Sequence, residues 1–194
     1  MLYLKSTILA LTIYTAISGH AQTAGEFGDT FIAEQLEKSR VNPDSHVVLE
    51  LHQPIEVVFQ ALLFELADYS EDVRSIDFDN TNSISAGTVN VGSRRISTMV
   101  DSSTLVQRLI YYDPPNSFAY FTEMLESSVN APLDYSIGHY LFSEQPKGQT
   151  TAEVSAVYKP SSRLMAYLVR FAFRRAFEND FKSAENYLNN REKD

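Results

Sequence analysis

From residue 46 to residue 190 the spacing of hydrophobic positions alternates between the period of a strand and that of a helix. His46-Val47-Val48-Leu49-Glu50-Leu51-His52 reads as a short strand over 46–52. Pro54 follows, and its missing N–H is harmless in the first turn of a helix. Ile55, Val58, Phe59, Leu62 and Leu66 then recur at helical spacing, which predicts a helix over 55–66 with one buried face. Asp68-Tyr69-Ser70-Glu71-Asp72 breaks that pattern, and Val73, Ile76 and Phe78 predict a second strand. A polar, turn-rich stretch over 80–87 leads into further strands over 88–100, 104–112, 117–125, 135–143 and 150–158. The connections Asp101-Ser102-Ser103, Asp113-Pro114-Pro115-Asn116 and Pro146-Lys147-Gly148-Gln149 are turn chemistry, so neighbouring strands run antiparallel. Lys159-Pro160-Ser161-Ser162 stops the last strand and caps a closing helix from near Ser161 to about Asn190.

These elements predict an α+β fold in which a large antiparallel sheet is covered by one long C-terminal helix. Phe173, Phe177, Phe181, Ala184 and Leu188 give the second half of that helix its sheet-facing side. Its first half is apolar on several sides, with Leu164, Met165, Tyr167, Leu168, Val169 and Phe171. A sheet of this size under one helix must curl, and the curl leaves a central cavity. The chain therefore divides into a leader over 1–21, a tether over 22–45 and one domain over 46–190. In the tether, Phe31, Ile32, Gln35 and Leu36 are spaced for a short amphipathic helix ended by Asn42-Pro43-Asp44.

Composition narrows the function classes. The chain has 194 residues and a net charge of −9, which disfavours general nucleic-acid binding because phosphate would be repelled. With no cysteine there are no thiol nucleophiles, zinc–thiolate sites or iron–sulfur clusters. Lys5, the apolar run from Ile8 to Ile17 and the small residues at Gly19-His20-Ala21 have the order of a secretion signal. The run is shorter than the roughly 20 residues of a membrane span. The expectation is an exported, periplasmic or secreted protein, held at the membrane only if the leader stays uncleaved.

Four pieces of sequence carry a resemblance: Gln53-Pro54-Ile55-Glu56-Val57-Val58-Phe59, Val91-Gly92-Ser93-Arg94-Arg95, Gln107-Arg108-Leu109-Ile110-Tyr111-Tyr112-Asp113-Pro114-Pro115, and Gly148-Gln149-Thr150-Thr151-Ala152-Glu153-Val154. In this order they resemble the START-like superfamily, with its Bet v 1-like helix-grip fold, and within it the polyketide cyclase/dehydrase and lipid-transport group. The resemblance covers about residues 46–190. It implies a seven-stranded antiparallel sheet gripping the last helix, with a pocket between them for lipids, sterols or polyketides. None of the four pieces is a catalytic signature. Gln107 stands where similar chains carry an acidic residue before the Arg-Leu pair, which removes a carboxylate proton acceptor there.

Candidate site residues follow from strand parity. Arg94 and Arg95 point to opposite faces of one strand. Matching Val91-Gly92 to the family pattern makes Arg95 the inward one, where a guanidinium can hold a carboxylate or phosphate. Gln107 shares the odd positions of its strand with Leu105, Leu109 and Tyr111. Tyr111, Tyr120, Tyr135, Tyr140 and Tyr158 offer an apolar body with a hydroxyl handle, as an amphiphilic ligand requires, with Tyr111, Tyr120 and Tyr158 the candidates taken for the cavity. His139 lies mid-strand, and Leu168 and Phe171 border the expected cavity from the helix. His46, His52 and His139 do not converge at ligand spacing, so no metal or other cofactor is expected. Glu123 and Glu153 alternate with apolar residues; exposed strand positions account for them, and an inward one would be a general acid or base.

Lys159 to Phe177 holds Arg163, Arg170, Arg174 and Arg175 and no acidic residue, a local reversal in an acidic chain. Interleaved with apolar residues, these arginines suit peripheral contact with an anionic membrane surface. The reading these features favour is a carrier of a hydrophobic or amphiphilic small molecule. Two alternatives remain at this level. One is a cyclase- or dehydratase-like enzyme, which needs an acid and a base near one another. The other is a ligand-free accessory module with a filled core.

Overall fold

The structure, a computed structural model, describes residues 27–191. The leader expected over 1–21 lies outside the described residues. The elements are α1 (Asp29–Val41), β1 (Ser45–Leu51), α2 (Ile55–Phe64), α3 (Leu66–Tyr69), β2 (Val73–Asp79), β3 (Arg94–Met99), β4 (Thr104–Asp113), β5 (Ser117–Glu123), β6 (Leu133–Gln145), β7 (Gln149–Pro160) and α4 (Ala166–Arg191). The seven strands form one antiparallel sheet in the order β1-β7-β6-β5-β4-β3-β2. β1 and β2 are thus consecutive strands on opposite edges of the sheet, and α2 and α3 carry the chain from one edge to the other. The architecture is α+β, with the long α4 on the concave face.

Alternation along the strands sorts side chains between two faces. On the concave side, Leu51, Leu109, Phe118, Tyr120, Phe142, Ala152 and Val154 pack with Val58, Phe59 and Leu62 of α2 and Phe181, Ala184 and Leu188 of α4. Phe59 meets the rings of Phe118 and Phe142 edge-on at 5.5 and 5.7 Å. Thr150 Oγ1 donates to the carbonyl of Gln53 at 2.7 Å, tying the start of α2 to β7.

The convex side is covered too. The segment read from sequence as a tether carries the 13-residue α1, which lies on β5, β6 and β7. Ile32 is buried against Phe121, Tyr135, Ile137 and Val157, with Phe27 and Phe31 beside them. The Tyr135 hydroxyl donates to Gln35 Oε1 at 3.1 Å, and Asp44 pairs with Lys38 while accepting from the Tyr158 backbone N–H. Phe121, Tyr135, Ile137 and Val157 form an apolar patch at odd positions of β5 to β7, so the convex face needs a cover there as well.

The strand expected from residue 88 starts at Arg94. Residues 80–93 instead fold as a loop closed by Gly92 at φ +93°, where a Cβ would overlap the Asn82 carbonyl oxygen. Ile32→Ala tests whether α1 is part of the fold. Truncating this buried side chain should cost about 2–4 kcal/mol, read as a lower urea midpoint with an unchanged slope.

Candidate functional site

The concave face holds a polar cluster inside an otherwise apolar interior. Arg95 of β3 is its centre, 4% exposed. Gln107 is its cross-strand neighbour on β4, and Gln107 Oε1 accepts from both Arg95 Nε (3.1 Å) and Nη2 (2.6 Å). Nη1 makes longer contacts to the carbonyls of Leu62 and Leu63, at 3.5 and 3.3 Å. These belong to the last turn of α2, whose free carbonyls carry the negative end of the helix dipole. The guanidinium also lies 4.2 Å from the centroid of the Tyr120 ring. Every one of these partners is neutral.

Tyr69 of α3, Tyr120 of β5, Tyr140 of β6 and Asp180 of α4 complete the cluster. Burial pushes the Tyr140 phenol up to about 12 and raises Tyr69 and Tyr120 as well; the Arg95 charge opposes the rise in all three. Burial, then Asp72, lifts the Asp180 carboxyl to about 6, again against the pull of Arg95. Tyr69, Tyr140 and Asp180 are closely surrounded by protein yet keep accessible surface. Between Tyr120 and Tyr158 the sheet carries its smallest side chains side by side: Gly138 pairs with Tyr120 on one side and Ala156 on the other. A Cβ at Gly138 would meet only a Tyr140 ring carbon, at an ordinary 3.5 Å. The hydroxyls of Tyr120 and Tyr158 are both buried and have no hydrogen-bond partner among the described residues.

The sequence candidates separate into three places. Arg95, Gln107 and Tyr120 meet on the concave face. Tyr158 is on that face too, nearer the start of α4, stacked on Phe173 at 4.6 Å. Tyr111 and His139 are on the convex face instead. A register shift between Leu109 and Tyr111 reverses the parity of β4, so Leu109 and Tyr112 face the core while Tyr111 lies under Arg40 of α1 at 5.1 Å. His139 takes the odd-numbered, outward side of β6, edge-on to Tyr111 at 6.2 Å. Leu168 and Phe171 point to solvent, 47% and 58% exposed, because Val169 and Phe173 occupy the sheet-facing stripe of α4. Tyr69 and Asp180 were not among the candidates, and Tyr140 was named only with the other strand tyrosines. Asp180 interrupts the apolar stripe of α4 between Phe177 and Phe181.

No acid–base pair forms from the candidates. Arg95 is concave, whereas Glu123 shares the parity of Phe121 and is convex. Glu123 and His139 share the convex face, but their partners Tyr135 and Ala119 place them four residues apart along the sheet, roughly 13 Å. His139 Nε2 is 3.0 Å from Ser117 Oγ, which itself donates to the Tyr140 carbonyl at 2.8 Å. With its one proton so used, the serine accepts from the imidazole, the opposite of what a nucleophile and base require. Glu153 is paired with His46 at 3.3 Å on the outer surface. Among the described residues no group of three His, Asp or Glu is arranged to hold a metal ion.

Two recesses open on the outside. One, about 490 Å³, is lined by Gln53, Glu56, Val57, Gln60, Leu188 and Arg191, where α2 meets the end of α4. The other, about 280 Å³, lies between Arg40, His46, His139 and Glu153 on the convex face. Their charged residues are largely satisfied at the surface: Glu153 pairs with His46, and Arg191 with Glu65 at 2.8 Å. The unsatisfied groups concentrate in the interior.

No family model matches the sequence, and no curated protein matches it. Solved structures do match. Ara h 8.0201 aligns at TM-score 0.59 and 14% identity, over 74% of this chain and 95% of that one. XoxI from Bacillus cereus aligns at 0.57 and 15%, over 74% and 93%. TTHA0849 from Thermus thermophilus aligns at 0.54 and 15%, over 73% and 93%. The fold is the Bet v 1/START-like helix grip. At these identities the likeness is one of backbone.

The titrations give opposite pH signatures. Asp180 has a folded pKa near 6 against an ordinary 3.8, so the fold takes up a proton and gains stability as pH falls from about 6 to 4. Burial, then Arg40, holds His139 down near 4 against 6.5, so the fold loses stability as pH falls over nearly the same window. Asp180→Asn should raise the melting temperature at pH 7.5 by an amount equivalent to up to about 3 kcal/mol and leave it nearly unchanged at pH 4. His139→Gln should flatten the loss between pH 6.5 and 4. Thermal melts of both variants across pH 4–8 check the signs.

Proposed function

We propose that the protein is an exported carrier that binds a hydrophobic or amphiphilic small molecule between the sheet and α4. The observation that carries this reading is the buried polar cluster on the apolar concave face: Arg95 held by Gln107, beside a Tyr120 whose buried hydroxyl has no partner among the described residues. Burial of ligand hydrocarbon between the sheet and α4 would drive binding at about 25 cal/mol per Å², and the polar cluster around Arg95 would fix one end of the ligand. The fold of Ara h 8.0201 and XoxI is compatible with such a site. Export rests on the leader-like order of residues 5–21.

Delivery to or from a membrane belongs to the same reading. Tyr167 (80% exposed), Leu168 and Phe171 form an apolar strip on the outer face of α4, with Arg170, Arg174 and Arg175 on the same exposed face and Arg163 just before the helix. Arg174 pairs with Glu178 at 2.8 Å. Aromatic and aliphatic residues among arginines suit shallow insertion at anionic head groups. Among the described residues no helix is long and apolar enough to cross a membrane.

Organic-solvent extraction of protein purified from cells, followed by mass spectrometry, should release a stoichiometric apolar compound. Gly138→Leu, which grows a side chain between the sheet and α4, should abolish that compound while the melting temperature stays within a few degrees. A variant that keeps its full load of ligand places the ligand elsewhere. In sedimentation with vesicles, wild type should bind phosphatidylglycerol-containing membranes at least tenfold better than pure phosphatidylcholine. Tyr167→Ser with Phe171→Ser should remove most of that binding, and equal binding by this double variant rejects the α4 contact.

A further inference from the structure

The Arg95 environment specifies the head group of the ligand, an inference that rests on the carrier reading above. A buried guanidinium is expensive unless an opposite charge accompanies it. Here the compensation is incomplete. The carbonyls of Leu62 and Leu63 supply the C-terminal end of the α2 dipole, worth about half a charge at most, and at 3.3 and 3.5 Å they are not tight bonds. Gln107 supplies a neutral oxygen and Tyr120 a ring face. Asp180 feels the arginine and, with its carboxyl lifted to about 6 by burial and then by Asp72, is ionised at pH 7.5, but it forms no ion pair or hydrogen bond with the guanidinium among the described residues.

Geometry adds to charge. The Nε and Nη2 edge is the fork that receives a planar carboxylate with two parallel bonds. A single neutral oxygen, Gln107 Oε1, now occupies both of its donors. Beside it the Tyr120 hydroxyl, on a residue only 1% exposed, has no hydrogen-bond partner among the described residues. A second unpartnered hydroxyl, that of Tyr158, lies across the interior under the start of α4. Between the two tyrosines the sheet surface drops at Gly138 and Ala156. From β3 to β7 there are four inter-strand steps of about 4.8 Å, a path of about 19 Å along the curved sheet.

We infer that the ligand is a long-chain monocarboxylate whose carboxylate docks on the Nε/Nη2 edge of Arg95 with Gln107 turned aside. The Tyr120 hydroxyl donates a further hydrogen bond to the head. The chain runs past Gly138 toward the start of α4, where it displaces the packing of Val169 and Phe173 on Ala156 and Tyr158. One guanidinium balances one charge, so the site favours a monoanion over a phosphate dianion. A chain that ends in a hydroxyl instead of a carboxylate fills the same space and leaves the charge unbalanced.

Displacement of the neutral fluorophore N-phenyl-1-naphthylamine tests this with two matched probes, oleate and oleyl alcohol, at pH 7.5 and below their aggregation limits. Oleate should compete at least tenfold more strongly than the alcohol with wild type. Arg95→Gln should weaken oleate at least tenfold and change oleyl alcohol less than threefold, and Arg95→Lys, which keeps the charge without the fork, should fall between. Should Arg95→Gln fail to fold, the acid-to-alcohol ratio on wild type still decides. Equal competition by acid and alcohol overturns the carboxylate assignment and leaves the carrier reading standing. If neither chain is taken up by wild type, the carrier reading itself falls.

Discussion

The structure depends on one topological constraint: consecutive strands β1 and β2 occupy opposite edges of a seven-stranded sheet. Laid flat, those edges would be about 29 Å apart, six spacings of about 4.8 Å. The helical part of the link, 14 residues of α2 and α3, spans about 21 Å at 1.5 Å per residue. Curling brings the edges together, and the apolar face of α2 then plugs one end of the curl with Val58, Phe59 and Leu62. α4 closes the long side through Phe181, Ala184 and Leu188. Toward the other end of α4, Val169 packs with Leu133, Ala156 and Tyr158, flanked by Phe173 and Phe177. The same constraint delivers the last turn of α2 to Arg95, so the element that closes the sheet also sets the electrostatics of its interior.

Covering both faces of the sheet gives each a different task. The convex face is an ordinary packed layer, with Ile32 and a set of aromatic rings holding α1 against β5, β6 and β7. Its polar groups are well matched: His139 with Ser117, Tyr135 with Gln35, Lys38 with Asp44. The concave face gathers a cation with neutral partners, a raised carboxyl and two orphan hydroxyls. The division follows strand parity, and it is broken at one place. The register shift between Leu109 and Tyr111 turns Tyr111 outward and Tyr112 inward, which gives Arg40 of α1 a ring to stack on at the convex face.

The element order was legible in the sequence because its signals are local. Period-2 runs, Pro54 at the start of α2 and the turn dipeptides mark nearly every strand to within a few residues. Arg95 and Gln107 were singled out separately, Arg95 through the family pattern around Val91-Gly92, and their cross-strand pairing shows only in the register. Four further things were not legible. A bulge has no reliable mark in a run such as Leu109-Ile110-Tyr111-Tyr112, where every side chain is apolar enough for either face. The role of α1 depends on the convex face being apolar, which shows only when β5, β6 and β7 are laid side by side. On α4, Leu168 and Phe171 differ from Val169 and Phe173 only by helical phase, and a stretch that is apolar all round conceals that phase. Asp180 escaped for the converse reason: one acid within an apolar stripe looks like an interruption until the partners across the interior are known.

The polarity of the interior bears on whether the fold is a filled scaffold or a container. A scaffold would gain from Leu or Phe at positions 95, 120 and 158, since each buried polar group left unsatisfied costs about 1–3 kcal/mol. Two orphan hydroxyls and a guanidinium matched mainly by neutral groups therefore represent several kcal/mol of foregone stability, a large share of what a domain this size possesses. Losses of that kind are tolerated where the groups acquire partners in the working state. Their arrangement is also directional. The cation sits beside the plugged end, the hydrocarbon-compatible surface of Gly138, Ala156 and the aromatic rings follows, and the exposed apolar strip of Tyr167, Leu168 and Phe171 stands on the outer face of the first half of α4. A molecule with one charged end and one greasy end matches that gradient from inside to outside, and a uniformly apolar ligand does not account for the buried charge.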